Sequence, residues 1–289
     1  MPSRPTLLLA LIAAFATPAL WASPPRVVRH PPVQASNDHR AEYPIALLHL
    51  ALEKAGAEAQ VVPSPVPMEQ GRALRALSQG RLIDVMWTVT TPERERRLRA
   101  IRIPIDRGLI GWRVLAVRQQ DLPRFAGIRE LGQLARLSGA QGHDWPDLAI
   151  LEANGLPTVA SPSYAALFQL LELGRIDYVA RGAGEAVPEL DSRAADGLVV
   201  EPTLVLHYPS ALYFFVHPDN DDLARSLERG LRLAFEDGSL DRLFEQAYGA
   251  DLAALRLEQR RRLVLANPQL TRDTPLGETR WWYDPRETR

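Results

Sequence analysis

Apolar residues recur along this chain at two spacings that alternate in a regular order. At 43–51 and 68–79 they return every three or four positions, which is the pattern of an amphipathic helix. Short apolar or β-branched runs at 26–30, 60–62 and 83–87 are typical of strands. Strands that alternate with helices predict an α/β layer built on a parallel sheet.

The same alternation returns in the second half of the chain. Helical apolar faces occur at 144–153 and 164–171, and strand-like apolar runs occur at 137–142, 204–206 and 211–216. Two more amphipathic helices follow, and a polar tail that contains proline ends the chain. The pattern therefore predicts a second α/β unit.

One helix-to-strand joint occurs twice, about a hundred residues apart. In each copy an apolar helical stripe ends at a glycine, Gly80 or Gly174, where a left-handed C-cap costs little. An aspartate, Asp84 or Asp177, then stands near the start of an apolar strand and is interpreted as a turn or cap residue. The repeat predicts two α/β lobes of similar build. The alternative is a generic α/β joint that occurs twice by chance.

Composition excludes several classes of function. The net charge of −1 indicates no nucleic-acid or anionic-membrane surface. The chain contains no cysteine, so disulfides, thiolate metal sites and cysteine nucleophiles are excluded. Its 6 histidines lack the spacing of metal ligands, and we expect neither a metal nor a cofactor.

The N-terminus has the layout of a secretory signal peptide. Arg4 supplies a positive charge, an apolar run covers 7–15, and small residues follow at 16–22. We expect cleavage after Ala22, with Ala19 as the second choice, and export to the periplasm. The apolar run is short for a bilayer span, and the alternative is an uncleaved anchor.

A turn rich in hydroxyl groups follows the strand at 83–87. It contains Thr88, Thr90 and Thr91, then a proline and Arg94. In open α/β sheets, ligands bind at the carboxyl ends of the parallel strands. This turn is therefore a candidate binding segment.

These features together resemble the periplasmic solute-binding proteins of the amino-acid type, also called solute-binding protein family 3. The resemblance covers about 25–248, and its most specific part is 84–94 followed by 103–105. It implies a type II periplasmic-binding-protein-like clamshell, an α/β fold with two discontinuous lobes joined by two hinge strands.

The resemblance also implies a domain division. After the signal peptide 1–22, lobe one comprises 23–117 and 208–249, and lobe two comprises 118–207. The C-terminal tail 250–289 is expected to pack on lobe one, and its Trp281-Trp282-Tyr283 run to contact the body. The chain should cross between the lobes near Val117 or Arg118 and return near 206–212.

The resemblance places the ligand's carboxylate on Arg94, because a guanidinium can hold a carboxylate with two parallel hydrogen bonds. Lobe two would contribute a backbone turn, and two tryptophans would stack on the ligand. The other residues expected at the ligand are Thr88, Thr90, Thr91, Trp87, Gly142, His143, Asp144 and Trp145. Two alternatives remain open: Arg94 belongs to a solvated run of arginines, and Trp87 is a core residue.

Lobe two departs from the family pattern at one position that matters for the ligand. Amino-acid binders carry an acid after the second joint, and this chain has Arg181 about there. Arg94 and Arg181 facing each other across a cleft would suit an anionic or dicarboxylic solute. Alternatively, Arg181 pairs with Glu185 and contacts no ligand.

The predicted function is capture of a small polar solute by hinge closure, without chemistry, by a monomer that serves a membrane permease or sensor kinase. Two other classes stay open. A dehydratase-like enzyme would need an acid or base in the cleft, with His143, Asp144 and Glu185 as candidates. A sensor or interaction protein with a vestigial cleft would use the aromatic tail.

Overall fold

The computed structural model describes residues 26–32 and 39–287. The predicted signal peptide 1–22 lies outside the described residues, so cleavage near Ala22 stays a prediction. Within the described ranges, no helix combines the length and the apolar character that a membrane span requires.

The N-terminal elements follow the predicted order of strands and helices. They are β1 (Arg26–His30), α1 (Glu42–Lys54), β2 (Ala59–Pro63), α2 (Gln70–Ser78), β3 (Val85–Val89), α3 (Pro92–Arg97) and β4 (Arg99–Ile101). Strand β4 ends at Ile101, and Pro104, which has no backbone N–H to donate to a sheet, lies in the segment that follows.

The middle of the chain begins with β5 (Trp112–Arg118) and returns with β10 (Leu204–His207). Between them lie α4 (Leu122–Phe125), α5 (Leu131–Leu134), β6 (Gly139–Gly142), α6 (Pro146–Ala153), β7 (Thr158–Ser161), α7 (Tyr164–Glu172), β8 (Tyr178–Gly182), α8 (Ala183–Asp191) and β9 (Leu198–Val200). The chain ends with β11 (Leu212–Val216), α9 (Asp221–Glu236), α10 (Ser239–Leu255) and β12 (Arg261–Val264).

The strands form three sheets, which divide between two lobes. In lobe one, β1 and β2 pair in parallel, and β11 lies between β3 and β4, antiparallel to both. In lobe two, a 7-stranded sheet has the order β12-β10-β5-β8-β6-β7, with β9 beside β5. The predicted two-lobed α/β clamshell is confirmed.

The two hinge strands are β5 and β10, which run antiparallel. Leu206 lies opposite Arg113, and His207 lies opposite Trp112. This pairing lies at the start of the predicted return segment 206–212, whereas the outward crossing lies nearer Trp112 than the predicted Val117 or Arg118. Leu212 already belongs to β11 in lobe one, because the chain leaves the larger sheet directly after His207.

The two aspartates of the repeated joint form the same pair of hydrogen bonds in different lobes. The Asp84 carboxylate accepts a hydrogen bond from the Arg29 backbone N–H at 2.8 Å, and the Asp84 N–H donates to the Arg29 carbonyl at 2.8 Å. Asp177 repeats both bonds with Ser138, at 2.8 and 2.7 Å. Each aspartate therefore hydrogen-bonds the start of its own strand to a neighbouring segment of the same lobe, as expected of a turn or cap residue.

The tail differs from its prediction in two ways. Helix α10 runs through Gly249 to Leu255, past the expected boundary, because alanine and leucine after Gly249 favour helix. Strand β12 then pairs in parallel with β10, so this part of the tail joins the lobe-two sheet and not lobe one. Only further on does Trp281 reach lobe one, where it stacks on Phe235 with ring centroids 5.8 Å apart.

Lobe one is held together by close packing of α1 against α9. Gly230 on α9 permits this approach, because a Cβ there would lie 1.8 Å from the Ala51 carbonyl oxygen. The buried side chains around this contact include Leu47, Leu48, Leu227, Leu231 and Phe244. A rigid helix pair therefore supports the strands that carry the candidate site.

Candidate functional site

Arg94 is placed by the first turn of α3, directly after the end of β3. The Thr91 hydroxyl caps the helix by accepting a hydrogen bond from the Arg94 backbone N–H at 3.1 Å, and Pro92 occupies the first helical position. This turn folds Arg94 back towards β3, where it is only 8% exposed, whereas Arg96 and Arg97 are exposed. The alternative that Arg94 belongs to a solvated arginine run is therefore wrong.

The Arg94 guanidinium connects the two lobes. One terminal nitrogen donates to the Thr88 hydroxyl and to the Val89 carbonyl, both at 2.7 Å. The other donates to the Asp144 carbonyl in lobe two, at 3.2 Å. Gln70 fixes the Thr88 hydroxyl by accepting its hydrogen at 2.7 Å. The structure therefore brings together Arg94, Thr88 and Asp144, as the sequence predicted.

The Arg94 guanidinium is buried, and none of the described residues forms an ion pair with it. Within residues 26–32 and 39–287, no carboxylate lies within ion-pair distance of its guanidinium. Burial lowers the pKa of Arg94 to about 10, against the opposing effect of Asp144 and Asp147. The guanidinium still keeps its charge at neutral pH. A buried cation without an anion is energetically unfavourable, so the site favours an added anion.

A cavity of about 480 Å³ lies beside Arg94. Helices α2 and α3 form most of its wall, and Asp144 of lobe two completes it. The lining residues are Gly71, Leu74, Arg75, Ser78, Glu93, Arg94, Arg97, Leu98 and Asp144. The volume falls in the range of small-molecule sites.

Arg181 lies in lobe two and is neutralised there. It is 1% exposed and forms two hydrogen bonds with the Glu189 carboxylate, at 2.7 and 2.6 Å. Glu185 lies 3.1 Å away. Burial lowers the pKa of Arg181, but the two glutamates outweigh it and raise that pKa above its ordinary value. The prediction that Arg181 adds a positive charge to the cleft is therefore wrong. The alternative, in which Arg181 pairs with Glu185, is observed.

A third buried arginine, Arg113 on hinge strand β5, was missed by sequence reasoning. It pairs with Asp147 at 2.5 Å and donates to the Tyr208 hydroxyl at 2.9 Å. The Tyr208 hydroxyl in turn donates to Asp147. Glu185 lies 3.7 Å from Arg113. An arginine inside the apolar run of β5 was the available signal, since a charge in such a run needs a buried partner.

Two of the predicted lobe-one residues face away from Arg94. The Thr90 hydroxyl donates to the Glu95 carboxylate, which also accepts a hydrogen bond from Thr271 of the tail at 2.9 Å. Trp87 is half-buried with its ring centroid 5.8 Å from that of His30.

The predicted lobe-two turn packs largely against itself. The Trp145 ring covers Gly142, where a Cβ would lie 2.7 Å from the ring, and its centroid is 4.9 Å from the Arg181 guanidinium carbon. His143 is exposed, with its ring 3.3 Å from the Ser161 carbonyl. Trp145 is the N-cap residue of α6, and Pro146 occupies the first turn of this helix.

No group of histidine, aspartate and glutamate side chains among the described residues could hold a metal ion. The chemistry that the site offers is therefore that of a buried guanidinium, hydroxyls and backbone groups. These groups suit recognition of an anionic or polar molecule.

Comparison with solved structures shows which proteins share this architecture. An ancestral arginine-binding protein bound to arginine is 18% identical with a TM-score of 0.58, covering 78% of this chain and 98% of its own. A putative binding component of an ABC transporter from Wolinella succinogenes, complexed with lysine, is 16% identical with a TM-score of 0.58, covering 78% and 95%. An ancestral amino-acid-binding protein, a precursor of cyclohexadienyl dehydratase, is 16% identical with a TM-score of 0.56, covering 77% and 95%.

No protein-family model and no curated protein matches the sequence. The similarity to the solved structures nevertheless extends over nearly their whole length and includes both lobes. The chain therefore has the two-lobed fold of the type II periplasmic binding proteins.

Proposed function

We propose that this chain is a periplasmic substrate-binding protein that captures a small solute by closing its two lobes. The observation that carries the proposal is the buried Arg94 guanidinium at the contact between the lobes. It lies beside a cavity and has no carboxylate partner among the described residues. The two other buried arginines described above, Arg113 and Arg181, both have such partners.

The solute class follows from the chemistry of Arg94. A guanidinium has five N–H donors, and three hydrogen bonds to protein acceptors are present here. The remaining donors can hold a carboxylate or a similar anion. The similar solved structures contain arginine, glutamine or lysine, each of which carries an α-carboxylate. We infer an anionic or amino-acid-like solute.

Hinge closure fits the position of the contacts. Arg94 belongs to lobe one and reaches the Asp144 carbonyl in lobe two, so a solute bound at Arg94 would stabilise the closed arrangement. Delivery of the solute to an ABC permease or a sensor kinase, in the periplasm and as a monomer, completes the proposal. The permease role is supported by two of the similar solved structures, which are binding components of ABC transporters.

Binding without catalysis is favoured over the dehydratase alternative. Burial raises the pKa of Glu185, but Arg181, Arg113 and Arg40 together hold it below the ordinary value. Glu185 is therefore ionised at neutral pH and a poor proton donor. The exposed His143 is not positioned by a second catalytic group.

The test is a comparison of Arg94→Ala with Arg96→Ala, a matched control on the same helix that is exposed and does not line the cavity. A thermal-shift screen against acidic and basic amino acids, dicarboxylates and polyamines first finds the solute. A solute present at one hundred times its Kd stabilises the protein by about 2.7 kcal/mol. Calorimetric titration should then show that Arg94→Ala weakens binding by about 2–5 kcal/mol, while Arg96→Ala binds normally. Equal affinity in both variants would refute the role of Arg94.

A further inference from the structure

Arg40 reaches from lobe one onto an aromatic ring of lobe two. It lies in the 3₁₀ turn His39–Ala41 that precedes α1, and its side chain is half-buried. Its guanidinium carbon is 4.6 Å from the centroid of the Tyr164 ring, at the start of α7. This is the geometry of a cation–π contact between an arginine and a tyrosine.

The charges around this contact favour a cation. Arg113 and Arg181 face three buried or half-buried carboxylates, those of Asp147, Glu185 and Glu189. Two guanidinium groups against three carboxylates leave one negative charge. Glu185 is the most accessible of the three, with 22% of its side chain exposed, against 6% for Asp147 and 7% for Glu189.

Arg40 supplies the missing positive charge from the opposite lobe. After Arg181 and Arg113, it is the third cation that lowers the pKa of Glu185 against the effect of burial. The Arg40 guanidinium therefore lies over an aromatic face. The Glu185 carboxylate lies near the same ring, because Arg181 contacts both: its guanidinium carbon is 5.9 Å from the Tyr164 centroid and its terminal nitrogen is 3.1 Å from Glu185. An aromatic face together with a carboxylate is a general means of recognising an organic cation.

We propose that Tyr164 and Glu185 form a guanidinium site on lobe two, and that Arg40 fills this site as a tethered occupant when the lobes close. The proposal rests on the proposed function, since it concerns the same cleft. The proposal also restricts the solute. A molecule held at Arg94 has no strongly basic group, because Arg40 already occupies the site on lobe two that would bind such a group.

The experiment uses the full mature chain with two reporter cysteines, Glu58→Cys on lobe one and Gln169→Cys on lobe two. Both positions are exposed and the chain has no other cysteine, so a fluorescent donor and acceptor can be attached cleanly. The distance between the labels is measured without any solute in the parent, in Arg40→Ala and in Arg72→Ala, an exposed lobe-one control. Circular dichroism checks that each variant is folded.

Arg40→Ala should lengthen the distance between the labels, and Arg72→Ala should not. Guanidinium chloride at low millimolar concentration should restore the short distance in Arg40→Ala and leave the parent unchanged. L-arginine should bind Arg40→Ala about tenfold more tightly than the parent, the factor expected if Arg40 occupies the site for about 90% of the time.

Tyr164→Leu provides a second route to the same conclusion, because it removes the aromatic face and leaves Arg40 intact. It should lengthen the distance, and guanidinium should not restore it. An unchanged distance in both variants, or no gain of L-arginine binding in Arg40→Ala, would overturn the guanidinium site. The label distances and their response to guanidinium are measured without an Arg94 solute, so they are independent of the Arg94 titration, and either proposal can fail alone.

Discussion

The buried ion pair between Arg181 and Glu189 gives the sharpest test of how lobe two is built. The two side chains are 2% and 7% exposed, and they form two hydrogen bonds of 2.7 and 2.6 Å. At this separation two unit charges attract by about 6 kcal/mol in a medium of effective dielectric constant near 20. Desolvation offsets much of this attraction in the intact pair, but loss of one partner leaves the other charge buried and unpaired.

Arg181→Met should therefore lower the free energy of unfolding by about 3–5 kcal/mol. The double variant Arg181→Met, Glu189→Gln should recover part of this loss, because it removes the unpaired carboxylate as well. The matched control is Arg225→Met, which breaks the exposed pair of Arg225 with Asp222, with side chains 64% and 79% exposed. It should cost about 0–1 kcal/mol.

The assay is urea denaturation at neutral pH, followed by circular dichroism and tryptophan fluorescence and analysed by linear extrapolation. The same slope in all variants would show that the comparison is one of stability alone. If Arg181→Met were no less stable than Arg225→Met, the neutralisation of Arg181 by its own lobe would be refuted. Arg181 would then return as a candidate for contact with the solute.

Two further predictions concern packing and pH. Gly230→Ala should lower the free energy of unfolding by about 1–3 kcal/mol, because the new Cβ meets the Ala51 backbone. The control Gly249→Ala in α10 meets only the flexible Glu245 side chain and should raise the free energy of unfolding by about 0.5–1 kcal/mol. Equal urea midpoints for the two variants would contradict this. Burial, and to a smaller extent Arg262, lowers the pKa of His207 to about 4. Between pH 4 and about 6.5 this histidine is therefore protonated in the unfolded chain but not in the folded chain. The free energy of unfolding should consequently rise with pH across this window. His207→Asn should flatten that rise in a series of urea midpoints, and an unchanged slope would show that His207 does not contribute.

Several parts of the fold could be predicted because they depend on neighbours in the sequence. Gly80 and Gly174 end their helices with φ of +63° and +67°, the left-handed conformation expected of a C-cap glycine. Thr91 and Pro92 begin α3 as a hydroxyl cap followed by proline should. From such local signals the order of strands and helices, and hence the two-lobed architecture, followed directly.

The candidate site was predicted only in part, because a run of charged residues does not show which of its side chains is buried. Arg94, Arg96 and Arg97 look alike in the sequence, yet only Arg94 is buried, because the turn at Thr91 directs it onto β3. The pairing of β12 with β10 joins residues far apart along the chain, and no local sequence pattern predicted it.

The sequence by itself determined the elements, their order and the joints between them, because these depend on propensities and hydrogen bonds within a few residues. Only the tertiary structure decided which charges are neutralised. Arg113 meets Asp147, and Arg94 meets no carboxylate among the described residues, through contacts between distant segments. The energy of a charge depends on its burial and on the distance to its partner in space, and these are set only when the lobes assemble.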